Sequence, residues 1–191
     1  ASGTDALFLA LRALGVGEGA EVVTVANTAV PTVAAIRAAG ARPVFVDVEE
    51  DTSLLDVARL EAALTPRTRC VVAVHLFGQV VDMGPLLAVA RGRGLAVLED
   101  CAQAFGAAGP AGPAGALGDA GAFSFYPTKV LGAFGDAGAV VTSRPDLHAR
   151  LARLRQYGLA GGPAALEEGF NSRLDELQAA LLDLRLDRVD A

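Results

Sequence analysis

Between residues 21 and 100, short apolar runs alternate with segments of helical periodicity, and this alternation most narrows the folds open to the chain. Glu21–Ala26, Pro43–Val46, Arg69–Val74 and Leu95–Leu98 read as strands, the last running into Glu99-Asp100. Pro31–Ala39, Asp56–Leu64 and Met83–Arg91 read as the helices between them, with Val57, Leu60 and Leu64 on one face of the second. Strands that are apolar on both faces and separated by helices predict a largely parallel central sheet covered by helices on both faces. The fold class is therefore α/β. Ligands of such sheets gather beyond the carboxyl ends of the strands, where Asp47, His75 and Asp100 fall.

The flanking segments extend this plan. Leu7, Leu11 and Leu14 mark a first helix that ends at Gly15, and Ser2, Thr4 and Asp5 supply capping chemistry at its start. A helix N-terminus also suits a phosphate, although most such starts are only caps. Gly15–Ala20 matches a dinucleotide-binding pattern by letter, but it follows a helix and precedes a strand, the reverse of what that motif requires. It reads as a turn. Gly106–Gly118 reads as a surface loop, Gly121–Phe125 and Gly138–Thr142 as two further strands, and Pro145–Tyr157 as a helix with Leu147, Leu151 and Leu154 inward. Gly158–Gly169 reads as a loop, and Arg173–Val189 as a last helix with Leu174, Leu177, Leu181 and Leu184 as its apolar stripe.

Composition excludes several functions. At 191 residues, with 52% hydrophobic and 20% charged residues, the chain can bury a core and is not a disordered segment. A net charge of −6 without any basic stripe argues against nucleic acid. No apolar run approaches the roughly 18 residues of a membrane span. Cys70 and Cys101 form no framework and read as buried free thiols, so a cytoplasmic location is expected.

Lys129 is the only lysine, against fifteen arginines. A spared surface cation is one reading. The other is a job closed to a guanidinium: an amine can lose its proton, attack a carbonyl and hold it as an imine. Asp100 lies at a strand end, twenty-nine residues before it. An isolated aspartate there is most often a helix cap. Together with an imine-forming lysine and a phosphate-binding helix mouth, however, a carboxylate is what pyridoxal 5′-phosphate needs to keep its ring nitrogen protonated.

Four segments then carry a family resemblance: Ser2-Gly3-Thr4-Asp5-Ala6-Leu7, Glu99-Asp100-Cys101-Ala102-Gln103-Ala104, Ser124-Phe125-Tyr126-Pro127-Thr128-Lys129 and Gly169-Phe170-Asn171-Ser172-Arg173-Leu174-Asp175. In order and context they resemble the DegT/DnrJ/EryC1/StrS sugar aminotransferases, fold-type I enzymes dependent on pyridoxal phosphate. His75-Leu76-Phe77-Gly78-Gln79 and Asn27-Thr28-Ala29-Val30-Pro31-Thr32 are similar to that family too. The resemblance implies that Lys129 forms the internal aldimine and later acts as a base, and that Asp100 is the partner of the ring nitrogen. It implies that Gln103 approaches the ring oxygen, and that Gly3, Thr4 and Ser124 hold the phosphate. Asn171 would reach the phosphate of a neighbouring subunit, which implies a homodimer with shared sites. The implied reaction takes an amino group from a donor, usually L-glutamate in that family, to a nucleotide-linked keto-sugar.

Other readings of these residues set expectations of their own. His75 is expected to be a satisfied core residue, and two histidines suggest no metal cluster. Glu99 and Asp100 are adjacent on a strand and should point to opposite faces, which excludes a glycosidase pair. Ser124 has no evident triad partners, and Asn171 could equally cap the last helix. Ala29 stands where the family often has an aromatic residue over the cofactor ring, and Val130 where it often has asparagine after the lysine. Residues 1–191 are expected to be the cofactor-binding large domain, without the family's N-terminal segment and C-terminal small domain. A pyridoxamine-dependent sugar dehydratase is one alternative, against which Lys129 argues because those relatives carry histidine there. A non-catalytic regulatory protein that keeps the fold is another.

Overall fold

The computed structural model describes residues 1–189. Its elements follow in the order α1 (Gly3–Ala13), β1 (Glu21–Val25), α2 (Val30–Ala38), β2 (Arg42–Val46), α3 (Val57–Ala63), β3 (Thr68–Val74), α4 (Met83–Gly92) and β4 (Ala96–Asp100). Then come β5 (Ala108–Gly109), β6 (Gly112–Pro113), β7 (Ala120–Ser124), β8 (Gly138–Val141), α5 (Pro145–Leu154) and α6 (Glu176–Leu186). Six strands form one sheet in the order β2-β1-β3-β4-β7-β8, and β5 and β6 form a separate small hairpin.

Neighbours from β2 through β7 pair in parallel, and β8 runs antiparallel to β7. The strand order reverses direction at β1. The chain passes from β1 to β2 on one side and returns to place β3 on the other. Right-handed crossovers then put α2 on one face and α3 and α4 on the opposite one. The contacts agree: α1 packs on α2 and α5, while α3 packs on α4. The central strands β1 and β3 are buried almost throughout, as a sheet covered on both faces requires.

Alanine lets the layers approach closely. Ala10, Ala35, Ala73 and Ala90 are fully buried beside Leu11, Ile36, Leu60 and Leu86. On α5 the inward residues are Leu147, Leu151 and Leu154, as the periodicity predicts. That helix stops earlier than expected, because Tyr157 turns left-handed at φ 57° and Gly158 follows at φ 76°.

Two expectations need correction. The 106–118 segment is not merely a surface loop: after the β5–β6 hairpin its end tucks inward, and the backbone N–H groups of Gly115, Leu117 and Gly118 donate to the Glu99 carboxylate. A segment without side-chain periodicity is held here by its backbone. The last helix is shorter than predicted, and its leucine stripe is not its buried face. Leu177 and Leu184 are 81% and 69% exposed, whereas Leu182 is buried with Leu131, Ala133 and Ala137. This small second cluster lies under the loop that carries Lys129. Gln178 accepts from the Phe134 N–H and Arg185 donates to the Gly132 carbonyl, so α6 braces that loop. Among the described residues, no helix is long and apolar enough to cross a membrane.

Candidate active site

A cavity of about 300 Å³ opens where the sheet's carboxyl ends meet the N-termini of α1 and α2. Gly3 and Thr4 enter from α1, Asp100 from the end of β4, Ser124 from the end of β7, and Lys129 from the loop that follows. A smaller pocket of about 20 Å³ adjoins it, sharing Ala29, Asp100, Ala102 and Lys129 and adding Gln103. Six of the seven residues expected to hold a cofactor thus line one connected space.

Backbone packing builds the α1 end of this space. Ser2 caps the helix, its Oγ accepting from the Asp5 N–H at 3.1 Å, which leaves the N–H groups of Gly3 and Thr4 outside the helix's own bonding pattern. A Cβ on Gly3 would lie 2.5 Å from Ser124 Cβ, and one on Gly138 would lie 2.4 Å from the Ser2 carbonyl oxygen. Only glycine lets the helix start sit this close to β7 and β8. The result is a helix N-terminus, with its positive dipole end, beside a serine hydroxyl: a cradle suited to an anion.

The opposite side of the site is carboxylate. Asp100 is 5% exposed; its Oδ2 accepts from the Thr32 hydroxyl at 2.7 Å and its Oδ1 from the Ala102 N–H at 3.1 Å. Burial pushes this carboxyl above the ordinary aspartate range, against the pull of both hydrogen bonds and of the Lys129 charge. A buried carboxylate in this state favours a cationic partner. Among the described residues Lys129 makes no ion pair, and its backbone N–H donates to the Tyr126 carbonyl at 2.8 Å.

Glu99 faces the other way, as the alternation of a strand requires. It is fully buried, and both its oxygens are saturated by His75 Nε2 at 2.9 Å and by the three N–H groups of residues 115–118. Burial pushes its carboxyl up, but the bond from His75 and those from Gly118, Gly115 and Leu117 outweigh it and hold Glu99 below the usual range. His75 Nδ1 accepts from the Val81 N–H, so Nε2 carries the ring proton of a neutral imidazole. His75 is the satisfied core residue expected of it. No metal cluster was foreseen in the sequence, yet His75, Glu99 and Cys101 bring their ligand atoms within 4.8 Å of one another. The atoms of His75 and Glu99 are committed to the hydrogen bonds just described.

Two of the expected residues sit differently from the rest. Gln103 is fixed by the Phe77 N–H, which donates to its Oε1 at 2.8 Å, so its amide NH₂ remains for other partners. Asn171 is exposed and lines neither pocket; its Oδ1 accepts from Arg173 Nε and its backbone bridges Gln156. It does not cap the last helix, where Asp175 occupies that position. Of the other strand-end residues, Asp47 points outward to Arg59.

The fold adds residues that sequence reasoning missed. Thr32 is fully buried on α2 and bonded to Asp100; in the sequence it stood in the Asn27–Thr32 segment, with nothing to tie its hydroxyl to Asp100. Tyr126 supplies the aromatic ring among the described residues of the larger cavity, where Ala29 presents only a methyl group. A wider cleft, about 550 Å³, opens at the other end of the sheet beside Arg144, Arg150 and Arg153. Each of these arginines is paired with a carboxylate, of Asp119, Asp146 or Glu167, so the cleft has no free charge to direct a ligand.

The donor set of the 300 Å³ cavity fits pyridoxal 5′-phosphate. It joins an anion cradle whose glycine a Cβ would fill, a buried carboxylate raised by its own desolvation, and the chain's one amine side chain.

Comparison with known proteins points the same way. The sequence profile of the DegT/DnrJ/EryC1/StrS aminotransferase family matches residues 1–191. A dTDP-3-amino-3,4,6-trideoxy-alpha-D-glucose transaminase of Micromonospora megalomicea subsp. nigra is 55% identical over 191 residues, 100% of this chain and 51% of that protein. The crystal structure of Streptomyces venezuelae DesV in complex with a ketimine intermediate superposes with a TM-score of 0.95 at 48% identity, over 99% of this chain and 51% of that one. That of ntda from Bacillus subtilis with bound cofactor PMP does so with a TM-score of 0.92 at 34% identity, over 98% and 43%. The chain spans about half the length of the curated relatives it matches.

Proposed function

Because the chain belongs to the DegT/DnrJ/EryC1/StrS aminotransferase family, we propose that residues 1–191 form the cofactor-binding large domain of a pyridoxal-phosphate-dependent sugar aminotransferase. The reaction moves an amino group from a donor, L-glutamate in this reading, to a nucleotide-linked keto-sugar. The single observation that carries the proposal is the convergence of Lys129, Asp100 and the Gly3–Ser124 cradle on one cavity.

When bound, pyridoxal 5′-phosphate supplies a carbonyl that condenses with amines and a ring that accepts the electron pair of a substrate carbanion. The chain's own residues bind and orient. The N–H groups of Gly3 and Thr4 and the Ser124 hydroxyl would hold the phosphate. Lys129 Nζ would hold the cofactor's carbonyl carbon, and its free amine would hold or move a proton at the substrate carbon. Asp100, when ionised, would accept a hydrogen bond from the ring nitrogen and keep it protonated. The Gln103 amide NH₂ would donate to the ring oxygen, since its carbonyl oxygen is already taken by the Phe77 N–H.

Asn171, exposed and outside its own chain's cavity, is assigned to the site of a second subunit in a homodimer. Buried free thiols at Cys70 and Cys101 support a reducing, cytoplasmic setting.

The test is borohydride reduction of the chain mixed with pyridoxal 5′-phosphate, followed by peptide mass analysis, with Lys129→Ala alongside. A label fixed on Lys129 and absent from the variant is expected. A label scattered over the N-terminal amine, or no absorbance change in a folded chain, overturns the assignment.

A further inference from the structure

We propose that Thr32 and Thr28 are positioning residues for Asp100, a chain of two hydroxyls that keeps this buried carboxylate ionised and aimed into the cavity. The inference deepens the reading of Asp100 as the ring-nitrogen partner and rests on it.

The geometry sets the direction of each bond. Thr32 Oγ1 lies 2.7 Å from Asp100 Oδ2 and 2.7 Å from Thr28 Oγ1. An ionised carboxylate only accepts, so the single Thr32 proton goes to Asp100 and Thr28 must donate to Thr32. The second carboxylate oxygen takes the Ala102 N–H. Each oxygen therefore has one fixed donor, and the remaining lone pairs are free toward the cavity. A donor already committed by a second donor behind it is also the stronger one.

These hydroxyls are not doing the ordinary work of a threonine near a helix start. α2 has no side-chain cap, although a hydroxyl stands one residue before its N-cap at Ala29. A helical threonine usually bonds back to the carbonyl four residues earlier. Thr32 instead reaches across to a strand 68 residues later in the chain. Its β-branched side chain is stiff at χ1, and Pro31 sets the backbone at the start of the helix. The turn carrying Thr28 is anchored by Asn27, whose Nδ2 donates to the Ser53 carbonyl at 2.9 Å.

The balance around Asp100 needs such support. Burial favours the protonated acid. The charged or titratable groups facing or flanking it are Lys129, Asp136 and Tyr126 in the cavity wall, His75 and Glu99 behind the sheet, and Cys101 beside it. His75 is neutral and bound to Glu99, and Lys129 is the group that others must displace, so neither is a permanent counter-charge. The two hydroxyls carry no charge, but they are donors that stay in place.

The experiment is a carboxyl-carbon NMR titration of the chain without cofactor, labelled at aspartate, with the Asp100 resonance assigned from Asp100→Asn. Thr32→Val is expected to raise the Asp100 midpoint by about one to two pH units, the effect of one hydrogen bond to a charged group. Thr32→Ser restores it to near the parent value, and Thr28→Val gives a smaller rise. Affinity for pyridoxal 5′-phosphate, read by visible absorbance across the same pH range, weakens in Thr32→Val where its Asp100 holds a proton and the parent's does not. An unshifted midpoint in Thr32→Val, or Thr32→Ser behaving like Thr32→Val, overturns the proposal. If instead the midpoints move as expected but Asp100→Asn binds the cofactor as tightly as the parent, the ring-partner reading fails, and the relay loses its purpose with it.

Discussion

Gly3 and Ser124 touch so closely that a single added carbon on the glycine would sit 2.5 Å from the serine Cβ. Gly3 opens α1, Ser124 ends β7, and together they form the anion cradle of the site. Gly3→Ala must therefore push the helix start away from the strand. It is expected to cost about 1–3 kcal/mol of stability, as overpacking does, and to weaken binding of pyridoxal 5′-phosphate by about tenfold or more. Thermal unfolding and an absorbance titration measure the two effects. An alanine variant that binds as the parent does would show that the close contact is not what shapes the cradle.

Glu99 is pinned by four donors and itself pins residues 115–118. Glu99→Gln would turn an NH₂ group toward N–H groups that need an acceptor. A loss of about 3 kcal/mol is expected, in the range for a buried charged network that loses one member. Urea denaturation measures it, and hydrogen exchange at Gly115, Leu117 and Gly118 should quicken in the same variant. Unchanged exchange at those three amides would refute this account of the loop.

Acid stability should report on Glu21. Its side chain is 1% exposed and accepts from Thr65, Arg42 and Arg67, which hold its carboxyl down to about 2 from the usual 4.5. Because the folded value is the lower one, the stabilisation is complete above about 4.5 and is lost as the pH falls toward 2. Glu21→Gln should be less stable than the parent at pH 7, with the gap between them closing through that acid window. Denaturant midpoints at pH 7, 4 and 3 test it, and a gap that stays constant contradicts it.

Both cysteines should be unreactive in the folded chain. Burial pushes the Cys70 thiol up to about 12, and burial together with the Glu99 and Asp100 charges raises Cys101 further. Since the thiolate is the nucleophile, a chromogenic disulfide reagent at pH 8 should find neither thiol until denaturant is added, and then both. Rapid reaction of the native protein would place one of them at an accessible surface.

The α/β plan was legible because strand and helix leave different periods in a chain, and β1, α2, β3, α4 and β4 each carry theirs. Lys129 was legible as an oddity of composition, and the segments around Gly3, Asp100 and Ser124 as motifs. Local pattern could not say which face of an element would be covered. The leucines at 177 and 184 repeat like a buried stripe, yet Leu182 is the one beneath the lysine loop. Burial depends on what packs opposite, and that is not encoded within one helix.

The same limit hid the contacts that tune the site. Thr32 and Asp100 are 68 residues apart, and His75 and Glu99 are 24 apart. Sequence alone determined the order of elements and the chemical types available at their ends. The motif already pointed to Asp100 as the acid on the site's side, but only the tertiary structure decided which donors surround each of the two adjacent acids. Strand alternation sends Glu99 and Asp100 to opposite sides, but parallel pairing with β3 and packing against α2 set their partners. A buried carboxylate's charge depends on the donors and charges that the fold brings within a few ångströms of it, and those come from distant parts of the chain.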